Sequence, residues 1–205
     1  MDYTKKPFTT NAGQTHFFYG ADYNPDQWQN SPDIFERDIE LMKEAGVTSA
    51  SVGIFSWTTL EPEEGVYQFE WLDCVMDRFA EEGMFVFLAT PSGSKPIWMS
   101  EKYPEIRRVT RDGVRERSGW RHNHCLSSLI YREKIVAINT QIARRYKEHP
   151  ALTLWHIGNE YSGDCHCSNC RASFQNWLKD RYLSIDSLNE AWWAGFWNHT
   201  FTDWG

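Results

Sequence analysis

The chain has 205 residues, 41% of them hydrophobic, which is enough to bury a real core. Its 28 acidic and 21 basic side chains leave a net charge of -7, which argues against a nucleic-acid groove or an anionic membrane surface. No apolar run approaches bilayer-spanning length, and residues 1–15 are polar, without a secretory-signal pattern. The expectation is a cytoplasmic protein with no membrane and no nucleic-acid partner.

After a ragged lead-in, residues 16–23 read as a first strand, ending in the polar and aromatic run Asn24-Pro25-Asp26-Gln27-Trp28. Ser31-Pro32 predicts a helix start, with Ser31 as N-cap and Pro32 at the first helical position. Ile34, Ile39, Leu41 and Met42 supply its apolar face, and Gly46 stops it. Residues 47–55 are a second strand. Residues 69–82 are a second helix, with Leu72, Val75, Met76, Phe79 and Ala80 at helical spacing and Cys74 read as a core thiol. Residues 84–90 are a third strand, apolar on both faces, as in sheets covered on both sides. A long connection over residues 91–127 follows, of a length that marks a functional or disordered loop. Residues 128–149 form a third long helix, broken by Pro150. Residues 152–157 are a fourth strand, followed by helices at 171–182 and 186–193.

This β-α rhythm predicts a parallel sheet with right-handed crossovers. A (β/α)8 TIM barrel needs eight strands and about 250 residues; only four strands are countable. The expected fold is α/β, with residues 1–205 forming about the first half of a barrel, truncated before the later strands, as one unit.

The fourth strand delivers Gly158, Asn159 and Glu160. Ligands in parallel α/β sheets bind at the carboxyl ends of strands, so Glu160 is a candidate general acid/base. The plainer alternative is a solvated glutamate on a strand-to-helix turn. Cys165, Cys167 and Cys170 form a C-x-C-x-x-C cluster whose thiols can converge on one ion, and Zn²⁺ takes four N/S ligands. Cys125 is the best candidate for the fourth, with His122, His124 and His166 as rivals. A closed four-thiolate site is structural, pinning two loops beside Glu160. Trp57 and Trp98 follow strand ends and either line a ligand site there or pack. Asp22, Asn24 and Asp26 either bind hydroxyls or stabilise a turn. Trp and Tyr are plentiful, with 11 and 9, and their faces suit sugar stacking as well as packing.

Several segments together closely resemble the N-terminal part of the glycoside hydrolase family 42 β-galactosidases. They are Tyr19-Gly20-Ala21-Asp22-Tyr23-Asn24-Pro25-Asp26-Gln27-Trp28, Gly53-Ile54-Phe55-Ser56-Trp57, Leu60-Glu61-Pro62-Glu63-Glu64-Gly65-Val66-Tyr67, Arg121-His122-Asn123-His124-Cys125 and Gly158-Asn159-Glu160-Tyr161. The cysteine cluster and Phe196-Trp197-Asn198-His199-Thr200-Phe201 match as well. The resemblance implies a (β/α)8 barrel and removal of terminal β-D-galactosyl groups with retention, by an acid/base and a nucleophile. It puts the acid/base on Glu160, galactose contacts on Arg121 and Asn159, and a structural zinc on Cys125, Cys165, Cys167 and Cys170. The implied partner is a galactoside or galacto-oligosaccharide, and the implied full-length assembly a homotrimer.

An enclosed, apolar, anion-rich pocket around Glu160 would raise its pKa toward neutrality. No later acidic residue follows a predicted strand, so the nucleophile is expected to be absent and the chain alone inactive, with an open sheet edge at the fourth strand. Two other readings remain: a non-catalytic, zinc-stabilised sugar- or partner-binding module, and a related glycosidase such as an α-L-arabinopyranosidase.

Overall fold

The computed structural model describes residues 17–204; the lead-in at residues 1–15 lies outside them. Four strands, β1 (Asp22–Tyr23), β2 (Ser49–Val52), β3 (Phe85–Ala89) and β4 (Leu152–His156), form one sheet in sequence order, every pair parallel. Between and after them run α1 (Pro32–Glu44), α2 (Trp57–Leu60), α3 (Glu70–Glu81), α4 (Ile97–Lys102), α5 (Leu129–Tyr146), α6 (Ser168–Tyr182) and α7 (Ile185–Ala191). A parallel pair cannot be closed by a tight turn, so each pair of strands carries a helix-bearing crossover.

β1 is shorter than the sequence predicts. Upstream of it the Tyr19 carbonyl still accepts from the amides of Thr48 (2.8 Å) and Ser49 (3.2 Å), while the Tyr19 amide donates to Thr48 Oγ1 (2.8 Å). The segment therefore follows β2 without a regular ladder. Gly20 permits the approach: a Cβ there would lie 1.7 Å from the Ser49 carbonyl oxygen.

The core forms where α1, α3 and α5 cover the sheet. Ile39, Leu72, Met76, Phe79, Val86, Leu88, Ile138 and Ile142 are all fully buried. On α1 the core-facing stripe is Phe35, Ile39 and Met42, an i, i+4, i+7 spacing, with Ile39 fully buried and the other two partly so. The predicted Ile34 and Leu41 lie off that stripe and are exposed. On α3 the stripe is Leu72, Val75, Met76 and Phe79. Cys74 sits on the opposite side and is exposed, not a core thiol. Ser31 does occupy the N-cap of α1, but its hydroxyl makes no capping bond; Pro32 follows at the first helical position, where its missing N–H leaves one donor fewer to satisfy. At α5 the cap is made, with Ser128 Oγ accepting from the Tyr131 amide at 3.3 Å.

The long connection after β3 is ordered. It contains α4, a 3₁₀ turn at Pro104–Ile106, and two antiparallel bridges, Val109 with Arg115 and Arg107 with His124. It leaves the sheet, turns at Gly113, and returns to place Arg121 and Cys125 beside the end of β4. α6 begins earlier than periodicity predicts, so Cys167 is its N-cap residue and Cys170 lies in its first turn.

Candidate active site and cysteine cluster

The turn after β4 is built around Thr90, just beyond β3. The Thr90 amide donates to the His156 carbonyl at 3.0 Å, and the Gly158 amide donates to Thr90 Oγ1 at 2.6 Å. Gly158 has φ +62° and the Tyr161 ring folded against it: a Cβ would lie 2.0 Å from the Tyr161 hydroxyl. Only glycine fits this backbone. Glu160 itself takes φ +41°, a strained region for a residue with a side chain. Asn159, half-buried, completes the turn.

The turn presents Glu160 to Arg121, with Arg121 Nη1 2.7 Å from Glu160 Oε2. The guanidinium also lies over the Phe55 ring, at 5.5 Å from its centroid, so β2's downstream loop supports it. The next residue, His122, has φ +58° and donates its amide to the Gly93 carbonyl at 2.8 Å. Burial and the Arg121 charge lower the His122 pKa, leaving a neutral ring whose buried Nε2 has no partner.

Glu160 and Arg121 open onto a cleft of about 490 Å³, also lined by Arg108, Glu116, Arg117, Trp120, Asn123 and Ser162. The side chains of Arg121 and Glu160 are 50% and 63% exposed, so the described residues do not build the enclosed, anion-rich pocket expected around the carboxyl. The cleft carries more arginine than glutamate.

Trp57 and Trp98 do not line it. Trp57 is fully buried, with Nε1 donating to Glu61 Oε2 at 2.7 Å, and half-buried Trp98 donates Nε1 to the Glu61 carbonyl at 2.9 Å. After β1, the Asn24 carbonyl closes a turn by accepting from the Gln27 amide, and burial raises the pKa of Asp26. Asp22 is exposed on β1.

The four predicted cysteines converge. Sγ of Cys125, Cys165, Cys167 and Cys170 all lie within 4.8 Å of one another, with Cys125 at 3.5 Å from Cys167 and 3.4 Å from Cys170. A tetrahedron with Zn–S bonds of about 2.3 Å has S···S edges of roughly 3.8 Å, so this cluster has the right size for a thiophilic ion. The Val109 amide points at Cys165 Sγ from 3.5 Å. Burial pushes the Cys125 thiol up. Burial also pushes Cys167 up, but hydrogen bonds from the Cys170 backbone and neighbouring thiols outweigh it and bring the thiol to about 7. The rival histidines are elsewhere: His166 pairs with Asp164 at 2.7 Å, and His124 stacks on Tyr131 at 4.1 Å. Burial lowers His124 to about 3.

A parallel βα sheet with charged groups gathered where its strands end is the arrangement of α/β domains that bind ligands at those ends, (β/α)-barrels among them. The chain belongs to the Glyco_hydro_42 family, described as beta-galactosidase, whose sequence profile matches residues 22–205. Beta-galactosidase GanA of Bacillus subtilis is 56% identical over 187 residues, which are 91% of this chain and 28% of GanA. Beta-galactosidase BglY of Alicyclobacillus acidocaldarius is 54% identical over 188 residues, 92% of this chain and 27% of BglY. The crystal structure of the β-galactosidase from Rahnella sp. R3 superposes with a TM-score of 0.91 at 55% identity, covering 97% of this chain and 29% of that one. The chain therefore spans under a third of the length of these relatives, and its four βα units are part of a TIM barrel.

Thr90, Phe55, Arg108 and Asn123 escaped the sequence reading. Phe55 and Asn123 fall inside matched segments but no role was assigned to them, and Thr90 and Arg108 lie in none; each is placed by contacts across the fold.

Proposed function

We propose that this stretch supplies the acid/base half of a retaining β-galactosidase site. Glu160, protonated, gives its proton to the departing glycosidic oxygen; as a carboxylate it then takes a proton from the attacking water. Arg121 offers a fixed fork of donors to galactose hydroxyls, and Asn159 offers both a donor and an acceptor. The observation that carries this reading is the Glu160–Arg121 pair at the tip of β4, in a chain of the beta-galactosidase family.

Retention requires a second carboxyl about 5–5.5 Å from the first. In the described cleft the other carboxylate is Glu116, on an irregular segment and not at a strand end. Among the described residues no strand-end carboxylate faces Glu160 in this cleft, so on this reading the nucleophile lies outside residues 17–204 and no galactosidase activity is expected from the 205-residue chain alone. Cys125, Cys165, Cys167 and Cys170 hold a structural zinc ion. When bound, zinc neutralises the thiolates and cross-links the two loops; four protein ligands leave no position for substrate. Reduced thiols in such a site suit the cytoplasm.

The test uses a hybrid in which residues 22–205 replace the matching stretch of GanA. The isolated chain should give no turnover of a chromogenic galactoside. The hybrid should be active, and Glu160→Gln should lower its kcat on lactose by about 10²–10⁴-fold. Turnover by the isolated chain, or a Glu160→Gln hybrid as active as its parent, overturns the reading.

A further inference from the structure

We propose that Lys95 is a positioning residue: through Asn123 and Arg108 it holds the Arg121 segment and the turn after Glu160 in one frame, separately from the cysteine cluster. The inference rests on the roles of Glu160 and Arg121 proposed above.

Lys95 lies on the loop after β3 and is only 9% exposed. Lysine is almost never buried to this degree without a partner. Its ammonium donates to Oδ1 of Asn123, which is itself 2% exposed. Desolvation, with Arg107 and Arg108 nearby, brings the Lys95 pKa down to about 8. The fold keeps this amine in place against both the desolvation and the like charges.

Asn123 passes the constraint in two directions. Its side-chain amide donates to the Arg117 carbonyl at 2.7 Å, closing the loop that carries Arg121. Its backbone carbonyl accepts from the Arg108 amide at 2.9 Å. Arg108 then reaches the other strand's loop, with Nη2 donating to the Ser162 carbonyl at 2.8 Å. The chain lies directly on that guanidinium: a Cβ on Gly163 would sit 2.2 Å from Arg108 Nη1. Three residues therefore link the loop after β3 to the turn after β4 without using a sulfur atom. Asn123, Arg108 and Ser162 form part of the cleft wall, and Lys95 supports that wall from behind.

The kinetic test is made in the hybrid. Lys95→Met should lower kcat/KM on lactose by about 10–100-fold, Lys95→Arg should recover most of it, and bound metal should not change. In an Arg121→Ala background, Lys95→Met should cost a clearly smaller factor than in the parent hybrid, because the share of its effect that runs through Arg121 is already lost. A merely structural lysine would cost the same factor in both backgrounds. Where Lys95→Met does not fold, Arg108→Gln cuts the same link from its half-buried end, with the same outcomes. A second measurement needs no activity: in the 205-residue chain, Lys95→Met should speed amide exchange at residues 158–163 at least tenfold. Kinetics within twofold of a hybrid that Glu160→Gln inactivates, equal losses in both backgrounds, or unchanged exchange at 158–163 overturns the proposal. A hybrid indifferent to Glu160→Gln instead overturns the parent reading.

Discussion

Glu160 sits where it does because of a residue with no side chain. Gly158 lets the Tyr161 ring close over the turn and frees the backbone for φ +62°, which is what swings Glu160 toward Arg121. Gly158→Ala should therefore cost about 1–3 kcal/mol, from backbone strain and displacement of Tyr161; denaturant midpoints at constant m would measure it. Lys95 gives a pH signature. Its pKa falls from 10.5 to about 8 on folding. Below about pH 8 both states are protonated and the buried charge costs stability. Between about pH 8 and 10.5 the unfolded chain holds a proton that the folded one has released, so this contribution makes stability rise with pH. Lys95→Met should remove that rise, so the parent gains relative to the variant across this window; a constant difference would contradict it. At this scale the sequence was legible where chemistry is local. Asn159-Glu160 follows an apolar strand, and three thiols fall within six residues. The Arg121–Glu160 pair joins residues of two loops, and Lys95–Asn123–Arg108–Ser162 links the same two, which no spacing rule reveals.

Among the elements, the helices were the most readable, because α1, α3 and α5 carry helical apolar stripes. Their orientation was less so. Ile34 and Leu41 fit a generous apolar face, but packing selected Phe35, Ile39 and Met42. α2 went unseen because four residues give no period. It is nevertheless a firm joint. The Glu61 carboxylate, 2% exposed, accepts from Trp57 Nε1 at 2.7 Å and from the Gly65 amide at 2.9 Å. Trp57→Phe preserves much of the packing but removes one donor from a buried carboxylate, so a loss of about 1–3 kcal/mol is expected. Thermal unfolding at neutral pH would measure it, and an unchanged midpoint would show that water or another donor replaces the indole.

At the level of the whole molecule, β4 has β3 on one side and, among the described residues, no strand on the other. Leu154, Trp155 and Ile157 are exposed there, the open edge that the sequence predicts and that a further barrel strand would cover. Among the described residues no helix is long and apolar enough to cross a membrane. The cysteine cluster joins the return of the long connection to the start of α6, so metal should act on global stability. Elemental analysis should find close to one zinc per chain, and Cys167→Ser should lose it. A loss of about 3 kcal/mol would lower the melting temperature by roughly 6–12 °C in a domain of this size. Full metal retention by Cys167→Ser would contradict the four-thiolate site.

The role of Glu160 as proton donor is tested most directly by leaving-group dependence in the GanA hybrid. Glu160→Ala should slow lactose, whose departing oxygen needs a proton, by about 10²–10⁴-fold. It should slow formation of the galactosyl-enzyme from 2,4-dinitrophenyl β-galactoside far less, and added azide should restore turnover and yield β-galactosyl azide. Equal losses on both substrates, with no azide product, would contradict the account.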